Sequence, residues 1–172
     1  MVKNVKDAEG LLQFAADESV SYVDFRFTDY KGKWHHVAFH ISALDEDLLE
    51  DGLMIDGSSI EGWCTINESD MQLKPDYTTV GIDPFAAQKT AFVTCTVVDP
   101  TTGLPYRRDP RSVAKKAEAY LASTGVADAV FVGAELEFFV FDSVRSCISP
   151  EKISFEISTT ENDAAADKEY AG

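Results

Sequence analysis

The sequence predicts a mixed α+β chain in two parts, and three observations carry that reading. A period-two apolar pattern over Val20–Phe27 and a β-branched, aromatic run over Thr90–Val98 alternate with helical-period stretches near 5–19 and 109–125. Between the parts, Asp99-Pro100-Thr101-Thr102-Gly103-Leu104-Pro105 is dense in Pro, Gly and Thr, as a linker is. After it, a helix and one strand offer each other too little surface to cover their apolar faces, so residues from about Asp109 read as the opening of a larger, incomplete domain. The expected division is an N-terminal helix at 1–17, a sheet domain at 18–103 and the incomplete domain at 109–172.

Each element has its own justification. Ala8, Leu11, Leu12 and Ala15 recur at helical spacing, with Asn4 available as an N-cap. In the first strand Val23, Phe25 and Phe27 share one face and Tyr22, Asp24 and Arg26 the other. Asp29-Tyr30-Lys31-Gly32 is turn chemistry, which makes Trp34–Ile41 the returning strand of a hairpin. His36 and His40 lie on one face of that strand and His35 on the other, so the three histidines read as structural rather than as one ligand set. Ser42, with Asp45 and Glu46 after it, marks a second helix start, with Leu44, Leu48 and Leu49 on its apolar side and Gly52 at its end.

Residues 53–63 mix two glycines, two hydroxyls and two acids with Trp63, a composition suited to an ordered, exposed loop; a plain surface turn is the alternative. Met71–Phe85, broken by Pro75 and Pro84, reads as irregular. Asp109-Pro110 is an N-cap and a first helical residue, opening a helix that ends near Gly125. Thr159–Gly172 has no defining periodicity.

The stretch Val130–Phe141 is the costliest to explain, because it sets Glu135 and Glu137 inside an apolar run that reads as a buried strand. Two steps apart on a strand, the two carboxylates point to the same side. Flanked by Phe they lose hydration and repel, and no Lys or Arg lies between Leu121 and Val144 to compensate them. Hard divalent cations such as Mg²⁺ or Mn²⁺ prefer oxygen ligands and would supply the charge. The alternative is a solvated sheet edge.

Composition narrows the remaining classes. With 172 residues and 45% hydrophobic residues, the chain can bury a core and is not a disordered protein. Its formal net charge of −15 opposes nucleic-acid phosphates and anionic membrane surfaces, so neither is an expected partner. Met1–Gly10 lacks a signal-peptide core and no apolar run reaches membrane-span length, so a soluble, cytoplasmic chain is expected. Cys64, Cys95 and Cys147 are too few and too scattered for a disulfide framework or a structural zinc site.

Five collinear segments carry a resemblance: Val23-Asp24-Phe25-Arg26-Phe27-Thr28-Asp29, Ile55–Trp63, Ile66–Met71, Arg108-Asp109-Pro110-Arg111 and Gly133–Phe139. Together they resemble the N-terminal third of bacterial type I glutamine synthetase. The resemblance implies a β-grasp domain at about 18–103 and then the start of the catalytic domain. It also implies the ATP-dependent condensation of glutamate with ammonia through a γ-glutamyl phosphate. By motif, Glu135 and Glu137 would each be a ligand to one of two Mg²⁺ or Mn²⁺ ions, and Glu137 would also belong to the substrate site. Asp56 and Ser59 would help bind and deprotonate ammonium, with Trp63 packed beside the mouth of the active site on a loop shared with a neighbouring subunit. The implied assembly is a homo-oligomer of twelve subunits in two stacked six-membered rings. An incomplete enzyme, inactive alone, is the first expectation. A short non-catalytic paralogue that modulates full-length subunits is the second, and a free-standing β-grasp module the third.

Overall fold

The computed structural model describes residues 5–65 and 69–160, which form two compact units dividing between Val130 and Phe131. In the first unit α1 (Ala8–Asp17) buries Ala8, Leu11, Phe14 and Ala15. Its N-cap is Asp7, whose carboxylate accepts from the Gly10 amide at 2.8 Å. Asn4, the expected cap, lies outside the described residues.

Strands β1 (Tyr22–Thr28) and β2 (Trp34–His40) form the expected antiparallel hairpin. Asp29 closes it by accepting from the amides of Lys31 and Lys33 and from the His35 ring. The His35 hydrogen bond, with those two amides, holds the Asp29 carboxyl below its usual range. Helix α2 (Glu46–Asp51) starts later than expected. Ser42 belongs to a 3-10 turn at Ile41–Ala43, and Leu44 is extended, so the carboxylate that caps α2 is that of Asp45. Gly52 ends the helix at φ +84°, where a Cβ would sit 2.7 Å from the Leu73 carbonyl oxygen.

The remaining strands are β3 (Leu53–Asp56), β4 (Asp70–Asp83) and β5 (Thr90–Val98). They complete a five-stranded sheet of order β2-β1-β5-β4-β3, in which β1 and β5 run parallel and every other pair antiparallel. A hairpin, a helix and a returning sheet with a parallel central pair make the β-grasp arrangement. Met71–Phe85, expected to be irregular, is mostly β4. Pro75 is tolerated because it lies past the end of β3, on a stretch of β4 flanked by a strand on one side only, just before a bulge between Asp76 and Gly81.

Register explains the core. Val23 pairs with Ala91 and Phe25 with Val93, Leu73 pairs with Val97 and Leu53 with Leu73, so one sheet face is apolar across four strands. Leu11, Phe14, Ala15 and Leu49 from the helices cover it. Phe25 has no exposure at all. Phe25→Ala is therefore expected to cost about 3–5 kcal/mol, read as a lower midpoint in urea unfolding.

The predicted linker at 99–105 is a tight turn. The Asp99 amide donates to the Leu104 carbonyl at 3.0 Å and the Gly103 amide to the Asp99 carbonyl at 2.8 Å, and the chain returns to β5 through Tyr106. Helix α3 (Pro110–Thr124) has the predicted ends: Asp109 caps it, proline opens it and Gly125 stops it at φ +69°.

The second unit differs from the sequence expectation. Residues 131–141 join no sheet among the described residues, and Phe131, Leu136, Phe138 and Phe139 are all more than 80% exposed. Apolar composition marks a segment as able to form a buried strand, but pairing and cover come from neighbouring strands, and the described residues provide none here. The segment that does pair is a hairpin, β6 (Ser143–Ile148) with β7 (Ile153–Ser158), where Ile153, Phe155 and Ile157 alternate with Ser154, Glu156 and Ser158. That alternation is visible in the sequence, and the Ser149–Lys152 turn is the signal that locates it.

Candidate functional site

Asp56 ends β3, and its carboxylate organises the turn after it. One oxygen accepts from the Ser58 amide at 2.9 Å and the Ser58 hydroxyl at 2.6 Å; the other accepts from the Ser59 hydroxyl at 3.3 Å. These donors shape the 3-10 turn Gly57–Ser59. The Ser58 hydroxyl and amide, with help from Ser59, hold the exposed Asp56 carboxyl below its ordinary value. No cationic side chain among the described residues pairs with it, so the exposed carboxylate's charge is not neutralised by an ion pair.

Asp70 sits directly across the ladder from Asp56. The sequence alone gives Asp70 no role, because only pairing reveals that fourteen residues of chain bring two acids into register.

The turn is tightly fitted. A Cβ on Gly57 would meet the Met71 side chain at 2.7 Å and the Cys64 sulfur at 3.0 Å, and the Gly57 amide donates to the Ser69 carbonyl at 2.6 Å. Trp63 packs as a large aromatic on a loop is expected to: it is 1% exposed and its ring lies against Phe27 and Tyr106, with centroids 5.6 and 5.4 Å away. It is the largest fully buried side chain among the described residues, so it anchors the loop to its own domain.

Because the folded Asp56 carboxyl titrates below its value in an unfolded chain, its bonds to Ser58 and Ser59 favour the folded loop above pH about 4 and are lost as pH falls through the folded value. A carbon-13 titration of the Asp56 carboxyl should show a midpoint below 3.8, and Ser58→Ala should raise that midpoint. A midpoint unchanged in Ser58→Ala would remove the hydroxyl as its cause.

Glu135 and Glu137 fall in the exposed 131–141 segment of the second unit. As donors they suit a hard divalent cation, being carboxylates two residues apart. They do not complete a site: among the described residues, no group of three or more His, Cys, Asp or Glu is arranged to hold a metal ion. The histidines are engaged elsewhere, His35 with Asp29, His36 with Asp24 at 2.6 Å and His40 with Ser42. A cleft of about 390 Å³ on the outer sheet face includes His36, Trp34 and Arg26, and its charges are already compensated, since Arg26 binds Asp24 and Asp83.

Comparison with known proteins supplies the context. The family models "Glutamine synthetase, beta-Grasp domain" and "Glutamine synthetase, catalytic domain" match residues 19–100 and 107–171. A glutamine synthetase of Bradyrhizobium diazoefficiens is 54% identical over 168 residues, which cover 98% of this chain and 36% of that protein. The glutamine synthetase of Azorhizobium caulinodans is 51% identical with the same coverage. A 3-hydroxylaminophenol mutase of Cupriavidus pinatubonensis is 45% identical over 170 residues. The chain thus spans about a third of the length of these relatives. Among solved structures, a Plasmodium falciparum glutamine synthetase superimposes with a TM-score of 0.74 at 25% identity, over 91% of this chain and 30% of that one. With both family models matched in order over a β-grasp sheet, the chain belongs to the glutamine synthetase family.

Proposed function

We propose that this chain forms part of an ATP-dependent ligase that condenses glutamate with ammonia, with Asp56 and Ser59 handling ammonium and Glu135 and Glu137 holding divalent cations. The observation that carries the reading is the Asp56 turn: an exposed carboxylate kept ionised by two serines, opposite Asp70, in a chain whose residues 19–100 and 107–171 match models of this family. Glutamate would first take the terminal phosphoryl group of ATP on its side-chain carboxylate, releasing ADP. Ammonia would then attack that acyl carbon, and phosphate would leave.

In this scheme Asp56 attracts NH₄⁺ and accepts a proton from it, which yields the neutral nucleophile. The neighbouring Ser59 hydroxyl offers an oxygen acceptor for a second N–H. Glu135 and Glu137 provide carboxylate oxygens suited to Mg²⁺ or Mn²⁺, whose chemistry when bound is to offset the phosphate charge. The proposal includes a homo-oligomer of two stacked six-membered rings, a boundary between the two domains within 103–109, and a cytoplasmic setting. Cys64, Cys95 and Cys147 form no disulfide among the described residues, which suits a reducing compartment, and no helix among those residues is long and apolar enough to cross a membrane.

The mutase among the relatives shows why activity itself must be measured. A chimera of this chain with the remaining length of the Bradyrhizobium diazoefficiens relative provides the test. It should release phosphate from ATP only when glutamate, ammonium and Mg²⁺ or Mn²⁺ are all present. Phosphate release that ignores ammonium would overturn the role given to Asp56 and Ser59, and failure with glutamate would overturn the substrate.

A further inference from the structure

We propose that Arg108 is a positioning residue: by bridging the Gly62 and Trp63 carbonyls it holds the loop from Asp56 to Trp63 and ties that loop to the start of α3. The inference rests on the reading of Asp56 and Ser59 above, and it adds a residue that touches neither ammonium nor phosphate.

The loop needs an external hold. Its own backbone bonds are few: Ile60 donates to the Gly57 carbonyl at 3.1 Å and Trp63 to the Ile60 carbonyl at 3.2 Å. Gly62 is at φ +77°, with the Tyr30 ring so close that a Cβ would lie 2.6 Å from its oxygen. After that bend the carbonyls of residues 62 and 63 need donors. Arg108 Nη1 donates to both, at 2.7 Å to Trp63, and the Tyr106 hydroxyl adds a second bond to the Trp63 oxygen. Bonds from an ionised donor are the stronger kind.

Arg108 can act as an anchor because its own backbone is held. The Tyr106 amide donates to the Val97 carbonyl at 2.8 Å, and the next residue after Arg108, Asp109, is 1% exposed. Its carboxylate accepts from the amides of Val97, Arg111 and Ser112 and from the Ser112 hydroxyl. Residues 106–109 therefore join β5 to the first turn of α3, and Arg108 extends that junction to the loop. The loop is also touched by the β1–β2 turn, where Lys31 pairs with Glu61 at 2.7 Å. Both of those side chains are about half exposed or more, so this pair restrains the loop weakly.

The test uses the 172-residue chain with Arg108→Met, which keeps the aliphatic length and removes every donor, and Arg108→Lys, which restores a charged donor. Amide exchange at residues 57–63 should accelerate about tenfold or more in Arg108→Met, at least the loss expected of one of its two charge-assisted hydrogen bonds. The Asp56 carboxyl midpoint should rise toward its ordinary value in the same variant, and Arg108→Lys should recover part of both changes. Exchange at 57–63 and an Asp56 midpoint both unchanged in Arg108→Met would overturn the proposal. Equal acceleration along β5 would overturn it too, because Arg108 would then support the whole fold. These readouts need no turnover, so they remain decisive if Asp56→Ala shows that the loop has no part in ammonium use.

Discussion

Glu137→Gln, introduced into the chimera, is expected to lower turnover by about 10²–10³-fold, the scale on which removal of one preorganised charge-stabilising group is felt. The amide keeps the size of the side chain but donates where the carboxylate only accepts, and it brings no charge. The divalent-metal concentration needed for half-maximal activity should rise with the loss of turnover, because a neutral oxygen binds a hard cation more weakly than a carboxylate. Turnover measured across a Mg²⁺ and a Mn²⁺ titration checks both. Turnover and metal requirement both at the parent level would remove Glu137 from the metal site. In the 172-residue chain the unfolding midpoint should be unchanged by the same substitution, since the 131–141 segment contributes no buried side chain to the described core.

Asp56→Ala should act on a different quantity. Its expected signature is a rise in the ammonium KM with a loss of about 10²–10⁴-fold in the ammonium kcat/KM, while the KM for glutamate and for ATP moves little. A carboxylate that both attracts NH₄⁺ and takes its proton matters most where that ion is scarce. High ammonium and alkaline pH should therefore recover part of the activity, because free ammonia then reaches the site already deprotonated. Steady-state rates over ammonium concentration at two pH values decide this. An equal loss at saturating ammonium and at limiting ammonium would place Asp56 in the transfer of phosphate instead.

The two variants separate because one removes a proposed metal-binding charge and the other a proposed ammonium base; their residues lie in different compact units, and each unit drew on the sequence differently. In the first, local patterns were sufficient for most elements. Val23, Phe25 and Phe27 identify β1 because side chains alternate along any strand, and Asp109-Pro110 and Gly125 bracket α3 because caps act within one turn. The helix at 42–52 shows the limit of such signals. Ser42 and Asp45 are both good caps, and the extended backbone at Leu44 selects the second.

By itself the sequence determined the α+β class, the hairpin, the caps of α3 and, through Asp56, Ser59, Glu135 and Glu137, the residues on which the chemistry is proposed to rest. Tertiary structure decided the features that depend on distant partners. It made Met71–Asp83 part of one long strand despite Pro75, because β5 supplies the ladder and β3 stops at the register of Leu73. It buried Trp63 between Phe27 and Tyr106, which are 36 and 43 residues away in the chain, set Asp70 opposite Asp56 and brought Arg108 to the loop. It also left Val130–Phe141 exposed and unpaired, although its composition is that of a buried strand. Alternation and capping are set by backbone geometry within a few residues, so a sequence states them directly. Burial, register and the pairing of charges are set by whichever segments fold against one another, and those contacts exist only once the chain has closed on itself.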